Sequence, residues 1–222
     1  MSELNTKKPD HYREDCNRIA SVYDPLVRFL SSFFGGEHSL RLLTIEKMEL
    51  KPHHKVLDVC CGTGTLCAMI AETIWGEGEV VGIDLAENML KLAEKKRRGN
   101  MSFSLANAEE IPYPDCYFDC ACITFGLHEM PHPVRMNVLH EMRRVLKAGG
   151  RIVVLDYLRP TGALVRLLFN VWMLVEGVTA RDFIKRDLSS IVRDSGFDSV
   201  ELGIYWMKTL QIVRGRKCKK CY

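Results

Sequence analysis

The sequence predicts an α/β domain built on a doubly wound, seven-stranded mixed sheet. Two patterns and a size argument carry that prediction. From residue 55 onward, short apolar runs alternate with amphipathic helical stretches, the pattern of parallel strands joined by helices on both faces. Near the C-terminus, two apolar runs have only Met207 and Lys208 between them. That gap is too short for a crossover, so these two strands pair antiparallel as a hairpin. The chain has 222 residues, is 47% hydrophobic and carries a net charge of +3. This is enough to bury one core and excludes a disordered chain.

The elements follow in order. Residues 17–50 read as two helices, with Ile19, Val22, Leu26, Phe29 and Leu30 at helical spacing and Gly35-Gly36 as the break. A strand is predicted over 55–59 and a helix over 65–75, with Leu66, Met69, Ile70 and Ile74 on one face. A strand over 79–85 precedes a helix over 87–98 that Gly99 closes. Strands over 101–106 and 118–125 come next, the second apolar throughout and so buried on both faces. A helix over 134–146 stops at Gly149-Gly150, ahead of a strand over 151–157. A helix over 181–194, with Ile184, Leu188, Ile191 and Val192 inward, ends at Gly196. The hairpin strands are placed around 200–206 and 209–214.

Composition narrows the class. The longest apolar stretch, 163–175, is interrupted by Arg166 and Asn170 and falls short of the roughly 20 residues a membrane-spanning helix needs. The first fifteen residues are polar, so no secretory signal is expected. With nine cysteines, an odd number set mostly in apolar segments, free thiols in a reducing cytoplasm are expected. Five positive charges sit in the last nine residues, leaving 26 bases against 28 acids elsewhere. A near-neutral body with a basic tail is not a nucleic-acid surface, which would show a broader basic face.

The segment Val56-Leu57-Asp58-Val59-Cys60-Cys61-Gly62-Thr63-Gly64 points to a ligand. An apolar strand enters a glycine turn and a helix starts at once. The glycines permit close approach to the backbone, and the helix N-terminus offers free N–H groups to a carboxylate or phosphate. Asp84, ending the next strand twenty residues after Gly64, stands where a carboxylate accepts ribose hydroxyls. This suits a dinucleotide or an S-adenosyl ligand. Cys67 stands where the dinucleotide pattern wants Gly or Ala, and the Asp58 carboxylate would repel a pyrophosphate. Both details favour a ligand with an ammonium and a sulfonium.

Further stretches extend the pattern: IASVYD at 19–24, LDVCCGTG at 57–64, GIDLAENML at 82–90, ANAEEIPYPD at 106–115, FDC at 118–120, TFGL at 124–127, and the run 141–160. Through these the sequence resembles the class I S-adenosylmethionine-dependent methyltransferases, and among them the ubiquinone/menaquinone biosynthesis C-methyltransferases of the UbiE/COQ5 type. The resemblance implies a Rossmann-like methyltransferase fold and S-adenosylmethionine as cofactor. It implies that Gly62, Thr63 and Gly64 hold the methionine end, with Cys60 in the same turn. Asp58 would anchor the loop or face the amino group, and Asp84 would take the ribose. Asn107 and Ala108 would meet the adenine, Leu85 or Met89 would cover its face, Thr124 would lie beside the methionine moiety and Tyr23 would close over the sulfonium. No metal is implied.

The sequence departs from the family at two places. His128-Glu129 replaces the family's Arg-Asn, and the segment after Pro160 is shorter and lacks the family's acidic, tyrosine-bearing stretch. Both changes fall where the methyl acceptor is expected. A carbon or oxygen acceptor gains from a base, and His128 is the first choice by position and by its ordinary pKa, with Tyr157, Glu129 and His132 behind it. Packing alone is the competing reading for each.

Other signals are weaker. His128-Glu129-Met130-Pro131-His132 matches H-E-x-x-H, but that zinc motif needs a helix, which Pro131 and Pro133 disfavour. Cys218 and Cys221 form a lone C-x-x-C with no second pair for zinc. In 164–178, Leu164, Leu167, Leu168, Val171, Trp172 and Val175 recur at helical spacing. Their first reading is a lid over a greasy substrate, with a membrane-surface helix, a dimer interface or a buried helix as alternatives.

The expectation is thus one methyltransferase domain over 1–222. It divides into a helical cap (1–50), a cofactor core (51–158), an acceptor-site insert or lid (159–180), a C-terminal helix and hairpin (181–217) and a tail (218–222). The expected reaction is methyl transfer to a small lipophilic or aromatic acceptor, quinol-type by resemblance, in the cytoplasm, by a monomer or homodimer with peripheral membrane contact left open. The alternatives are N-, O- or S-methylation of another small molecule, or a non-catalytic S-adenosylmethionine-binding regulator.

Overall fold

The computed structural model describes residues 36–219. In chain order the elements are α1 (Glu37–Met48), β1 (Lys55–Val59), α2 (Thr65–Thr73), β2 (Glu79–Asp84), α3 (Glu87–Glu94), β3 (Met101–Leu105), β4 (Phe118–Thr124), a 3-10 turn (Leu127–Glu129), α4 (His132–Val145), β5 (Leu146–Tyr157), α5 (Ala163–Glu176), α6 (Val178–Phe183), α7 (Leu188–Asp194), β6 (Phe197–Tyr205) and β7 (Leu210–Lys217). The seven strands make one sheet in the order β3-β2-β1-β4-β5-β7-β6. The first five are parallel, and β7 runs antiparallel between β5 and β6. This is the doubly wound mixed sheet with the terminal hairpin.

Strand order reverses between β1 and β4, and ligands of such sheets bind at that switch point, outside the carboxyl ends of the strands. Register brings those ends level: Val59 pairs with Ile83 and Ile123, and Thr124 with Leu155. Side-chain alternation fills both faces. Leu57 and Val59 point with Val81 and Ile83 into a core shared with Val138, Leu139 and Met142 of α4 and Val192 of α7. Val56, Val80, Cys120, Cys122 and Val153 pack on the other face against Leu40 and Met48 of α1 and Leu66, Cys67 and Ile70 of α2.

Four expectations change. Gly149 and Gly150 do not end a helix ahead of a strand; they lie inside β5, which extends back to Leu146 and pairs it with Phe118 across a register shift. The helix expected over 181–194 is two helices, because the Asp187 carboxylate accepts the Ser189 N–H at 3.0 Å and caps a new start. The turn between β6 and β7 is longer than two residues. Trp206, Met207 and Lys208 all adopt positive φ, and Thr209 N–H donates to Trp206 O at 2.9 Å.

The fourth concerns the apolar helix. α5 ends at Gly177 (φ 97), and Leu164, Leu167, Leu168 and Val171 point outward, 58–72% exposed. Phe169 and Met173 are the inward residues, packed with Ala180, Tyr157 and Trp172. Of the stripe read from spacing, Leu164, Leu167, Leu168 and Val171 therefore face outward while Trp172 packs inward. The helix expected before Gly35, and Tyr23 with it, lie outside the described residues. Among those described, no helix is long and apolar enough to cross a membrane.

Candidate active site at the carboxyl ends of β1, β4 and β5

After Val59 the chain turns through Cys60, Gly62 and Gly64, all at positive φ (55, 53 and 72), into α2. Left-handed backbone is free for glycine and costs another residue about 1–2 kcal/mol, so Cys60 is held there by its surroundings. Those surroundings are hydrogen bonds. Cys61 N–H donates to Ile83 O and Gly64 N–H to Cys61 O, each at 3.0 Å. Gly62 N–H donates to Asp84 Oδ2, and Ala86 N–H to Asp84 Oδ1, both at 2.8 Å. Asp84 thereby latches the β1 turn to the β2 turn; burial raises its carboxyl pKa, and these two bonds oppose the rise. A Cβ on Gly64 would meet Ala93 and Phe103 at 2.8 Å, so the turn can close only on glycine. Over Gly62 nothing among the described residues lies within 4 Å of that position.

Of the residues expected here, Cys60, Gly62, Thr63, Gly64, Asp84, Leu85 and Thr124 gather at this edge. Lys96 braces the turn through Thr63 Oγ1 (3.0 Å) and Thr65 Oγ1 (2.7 Å). Met89 packs under Ala86, Ala108 is buried with the core, and exposed Asn107 accepts the Glu109 N–H at 3.0 Å.

Asp58 is 1% exposed and lies beneath the turn, not on its open side. It accepts the thiols of Cys67 (3.2 Å) and Cys122 (3.4 Å). Burial pushes its carboxyl up to about 6, against the two thiol bonds. A carboxyl raised in the fold stabilises most when protonated. Its contribution, roughly 3 kcal/mol, is complete below about pH 4 and is lost as pH rises through about 6. Asp58→Asn is expected to remove that slope from a series of thermal melts between pH 4 and 8; an unchanged slope would refute the assignment.

A second polar group stands beside the first. A Cβ on Gly126 would lie 3.1 Å from Cys60 Cβ, so the turn after β4 abuts the glycine turn. Two residues on, His128 is 2% exposed. Its Nδ1 lies 2.8 Å from Asp156 Oδ1, and its backbone N–H donates to Asp156 Oδ2 at 3.1 Å. Tyr157 N–H also donates to Asp156 (2.8 Å), which fixes that carboxylate. On the other edge, His128 Nε2 faces Glu176 at 3.4 Å and Glu129 at 3.6 Å. Tyr157 OH donates to Glu176 Oε1 (3.0 Å) and accepts from Trp172 Nε1 (3.1 Å). Tyr157 also ties this group to aromatic rings, with Phe125 at 5.5 Å and Phe169 at 5.9 Å.

The base roles expected of His128 and Tyr157 do not fit this geometry. Burial alone would lower the His128 pKa, but Asp156 and Glu176 outweigh it and raise it to about 9. The ring then holds its proton at neutral pH. Burial and Glu176 push the Tyr157 hydroxyl well above its usual range. Sequence reasoning passed over Asp156 and Glu176. Two signals were there: Glu176 is the one acid in ALVRLLFNVWMLVE, and Asp156 is an acid inside a strand buried on both faces.

Comparison with known proteins bears on the family and the fold. A model of the ubiE/COQ5 methyltransferase family matches residues 4–178. The ubiquinone/menaquinone biosynthesis C-methyltransferase of Pseudomonas fluorescens is 36% identical over 173 residues, 75% of this chain and 66% of that protein. The protein of the same name from Proteus mirabilis is 40% identical over 147 residues, 64% of this chain and 57% of that protein. The chain thus spans less than two thirds of the length of these two curated relatives. Among solved structures, a SAM-dependent methyltransferase from Aquifex aeolicus shares the fold with a TM-score of 0.62 at 21% identity, over 79% of this chain and 88% of that one.

Proposed function

Because the chain belongs to the ubiE/COQ5 methyltransferase family, we propose that it transfers a methyl group from S-adenosylmethionine to a small lipophilic ring of the quinol type. The cofactor supplies a methyl already activated on a sulfonium, so the protein has to bind, align and exclude water. Gly62, Thr63 and the α2 N-terminus hold the carboxylate end. Asp84 accepts backbone N–H groups of Gly62, Ala86 and Leu85, and a carboxylate with about four lone-pair sites has room left for a ribose hydroxyl. Leu85, Met89, Asn107 and Ala108 flank the adenine, and Thr124 flanks the methionine. The role of Tyr23 stands as the resemblance gives it.

The acceptor ring stacks among Phe125, Tyr157, Phe169 and Trp172, and its hydroxyl meets the His128–Glu176 pair. The observation that carries this reading is the contact of Gly126 with Cys60, which sets the polar group against the glycine turn. Calorimetry with S-adenosylmethionine and S-adenosylhomocysteine tests the cofactor, and failure of both to bind removes the proposal. Transfer of labelled methyl is then followed to demethylated quinols, catechols, amines and thiols. Label on a ring carbon supports the quinol reading. Label on O, N or S replaces it, and tight binding without transfer to any acceptor indicates a regulator.

A further inference from the structure

His128 and Glu129 belong to a motif match that fails as a helix, yet they meet a third group from elsewhere in the chain. Glu176, at the end of α5, brings a carboxylate to the same point, and one ligand atom from each of the three lies within 4.8 Å of the others. We propose that His128 Nε2, Glu129 and Glu176 bind a divalent first-row transition-metal ion of the Zn2+ or Mn2+ class, the ion displacing the Nε2 proton to solvent.

Distances are the first argument. Nε2 stands 3.4 Å from Glu176 Oε2 and 3.6 Å from Glu129 Oε1. A charge-assisted N–H···O bond closes to about 2.7–2.9 Å. Two donors each about 2.1 Å from one ion stand roughly 3.0–3.4 Å apart at ordinary coordination angles. The Glu176 spacing falls in that range, and Glu129 lies slightly outside it, so a small inward shift of its carboxylate completes the set.

Support behind the ligands is the second argument. Asp156 accepts from Nδ1 at 2.8 Å, so Nε2 turns its other edge to Glu129 and Glu176. This is the carboxylate–histidine arrangement that backs metal-bound imidazoles. Tyr157 OH occupies Glu176 Oε1 and leaves Oε2 toward the histidine. The turn carrying His128 and Glu129 is pinned by Arg135, whose Nε donates to Leu127 O at 2.9 Å. His128 and Glu176 are thus each set by a neighbour that is not itself a ligand, and Glu129 rides on a turn held through Leu127 O.

The donor set chooses the ion. One imidazole with two carboxylates suits Zn2+ or Mn2+ better than Mg2+ or Ca2+, which prefer oxygen alone. Three protein ligands leave a position open, as in catalytic sites. On the methyltransferase reading, that position takes the acceptor hydroxyl, whose proton then leaves to solvent more readily. The metal site itself does not depend on that reading.

The test uses the full chain with Cys218→Ser and Cys221→Ser, so that tail thiols hold no metal. The stripped protein is titrated with Zn2+ by calorimetry and with Mn2+ by loss of the free-ion EPR signal. One equivalent of at least one ion is expected to bind. Glu129→Gln and Glu176→Gln are each expected to weaken it by more than about tenfold while the metal-free proteins melt like the parent. No stoichiometric site for either ion, or binding unchanged in both variants, overturns the proposal. S-adenosylmethionine binding is measured on the metal-free parent, so a failed cofactor site and a failed metal site give different results.

Discussion

Asp84→Asn is expected to weaken S-adenosylmethionine binding about a hundredfold while kcat at saturating cofactor changes only a few fold. The carboxylate has two duties. It accepts the N–H groups of Gly62 and Ala86 at 2.8 Å each, and on the proposed reading it accepts ribose hydroxyls with what remains. Asparagine keeps one acceptor oxygen and presents an NH2 to a position where an N–H already points. One latch bond and one ribose bond are lost, each to a charged acceptor and worth about 1.5–3 kcal/mol. At the lower end of that range their sum is about 3 kcal/mol, about a hundredfold in affinity. None of this touches the reacting atoms, so the loss falls on cofactor affinity. Calorimetry and steady-state rates check it; a kcat that collapses at saturation with affinity intact would refute the assignment.

The core was legible because its signals are local. Short apolar runs, and one strand–glycine–helix junction, are read within about ten residues, and the residues from Asp58 to Gly64 and Asp84 lie in such windows. The register shift that draws Gly149-Gly150 into β5 is set by Phe118 on another strand, so no window around 149 contains it. The outward face of α5 was misread for a related reason. Periodicity gives the spacing of an apolar stripe, while the choice between the Leu164 side and the Phe169 side is made by what Tyr157 and Ala180 offer.

The acceptor side shows both limits at once. The sequence departs from its relatives at His128-Glu129 and again after Pro160, two places about thirty residues apart in the chain. In the fold they meet, because Glu176 at the end of the second segment stands 3.4 Å from His128 in the first. Each departure alone looked like the loss of a family feature. Together they build one network with Asp156 and Tyr157, and the base role given to His128 changes because that network supplies two carboxylates.

Arg135→Met is expected to destabilise the protein by about 3–5 kcal/mol and to depress methyl transfer more than cofactor binding. The side chain is fully buried, and every branch of it is used. Nε donates to Leu127 O (2.9 Å), one terminal nitrogen to Asp182 (2.9 Å) and the other to Thr179 O (2.8 Å). The guanidinium also stands over Phe183, 5.1 Å from its ring centre. Methionine fills much of the volume but takes the guanidinium donor from Thr179 O and from Leu127 O, which keeps only the Met130 N–H at 3.2 Å, at about 1–3 kcal/mol each. Asp182 is half-exposed and keeps Arg186, so its share of the cost is smaller. With the lost bonds to a charged donor, the total reaches the range measured when one partner is removed from a buried pair. In a chain of this length that is about 6–20 °C in the melting midpoint. Lysine should recover little, because one ammonium cannot serve three acceptors set around a planar fork. The bond to Leu127 O is the one that fixes the turn bearing His128 and Glu129, whereas the glycine turn is latched by Asp84. Cofactor affinity should therefore survive in the folded variant while turnover falls. Equal loss of both, or a melt within about 2 °C of the parent, would show that Arg135 does not hold the acceptor side in place.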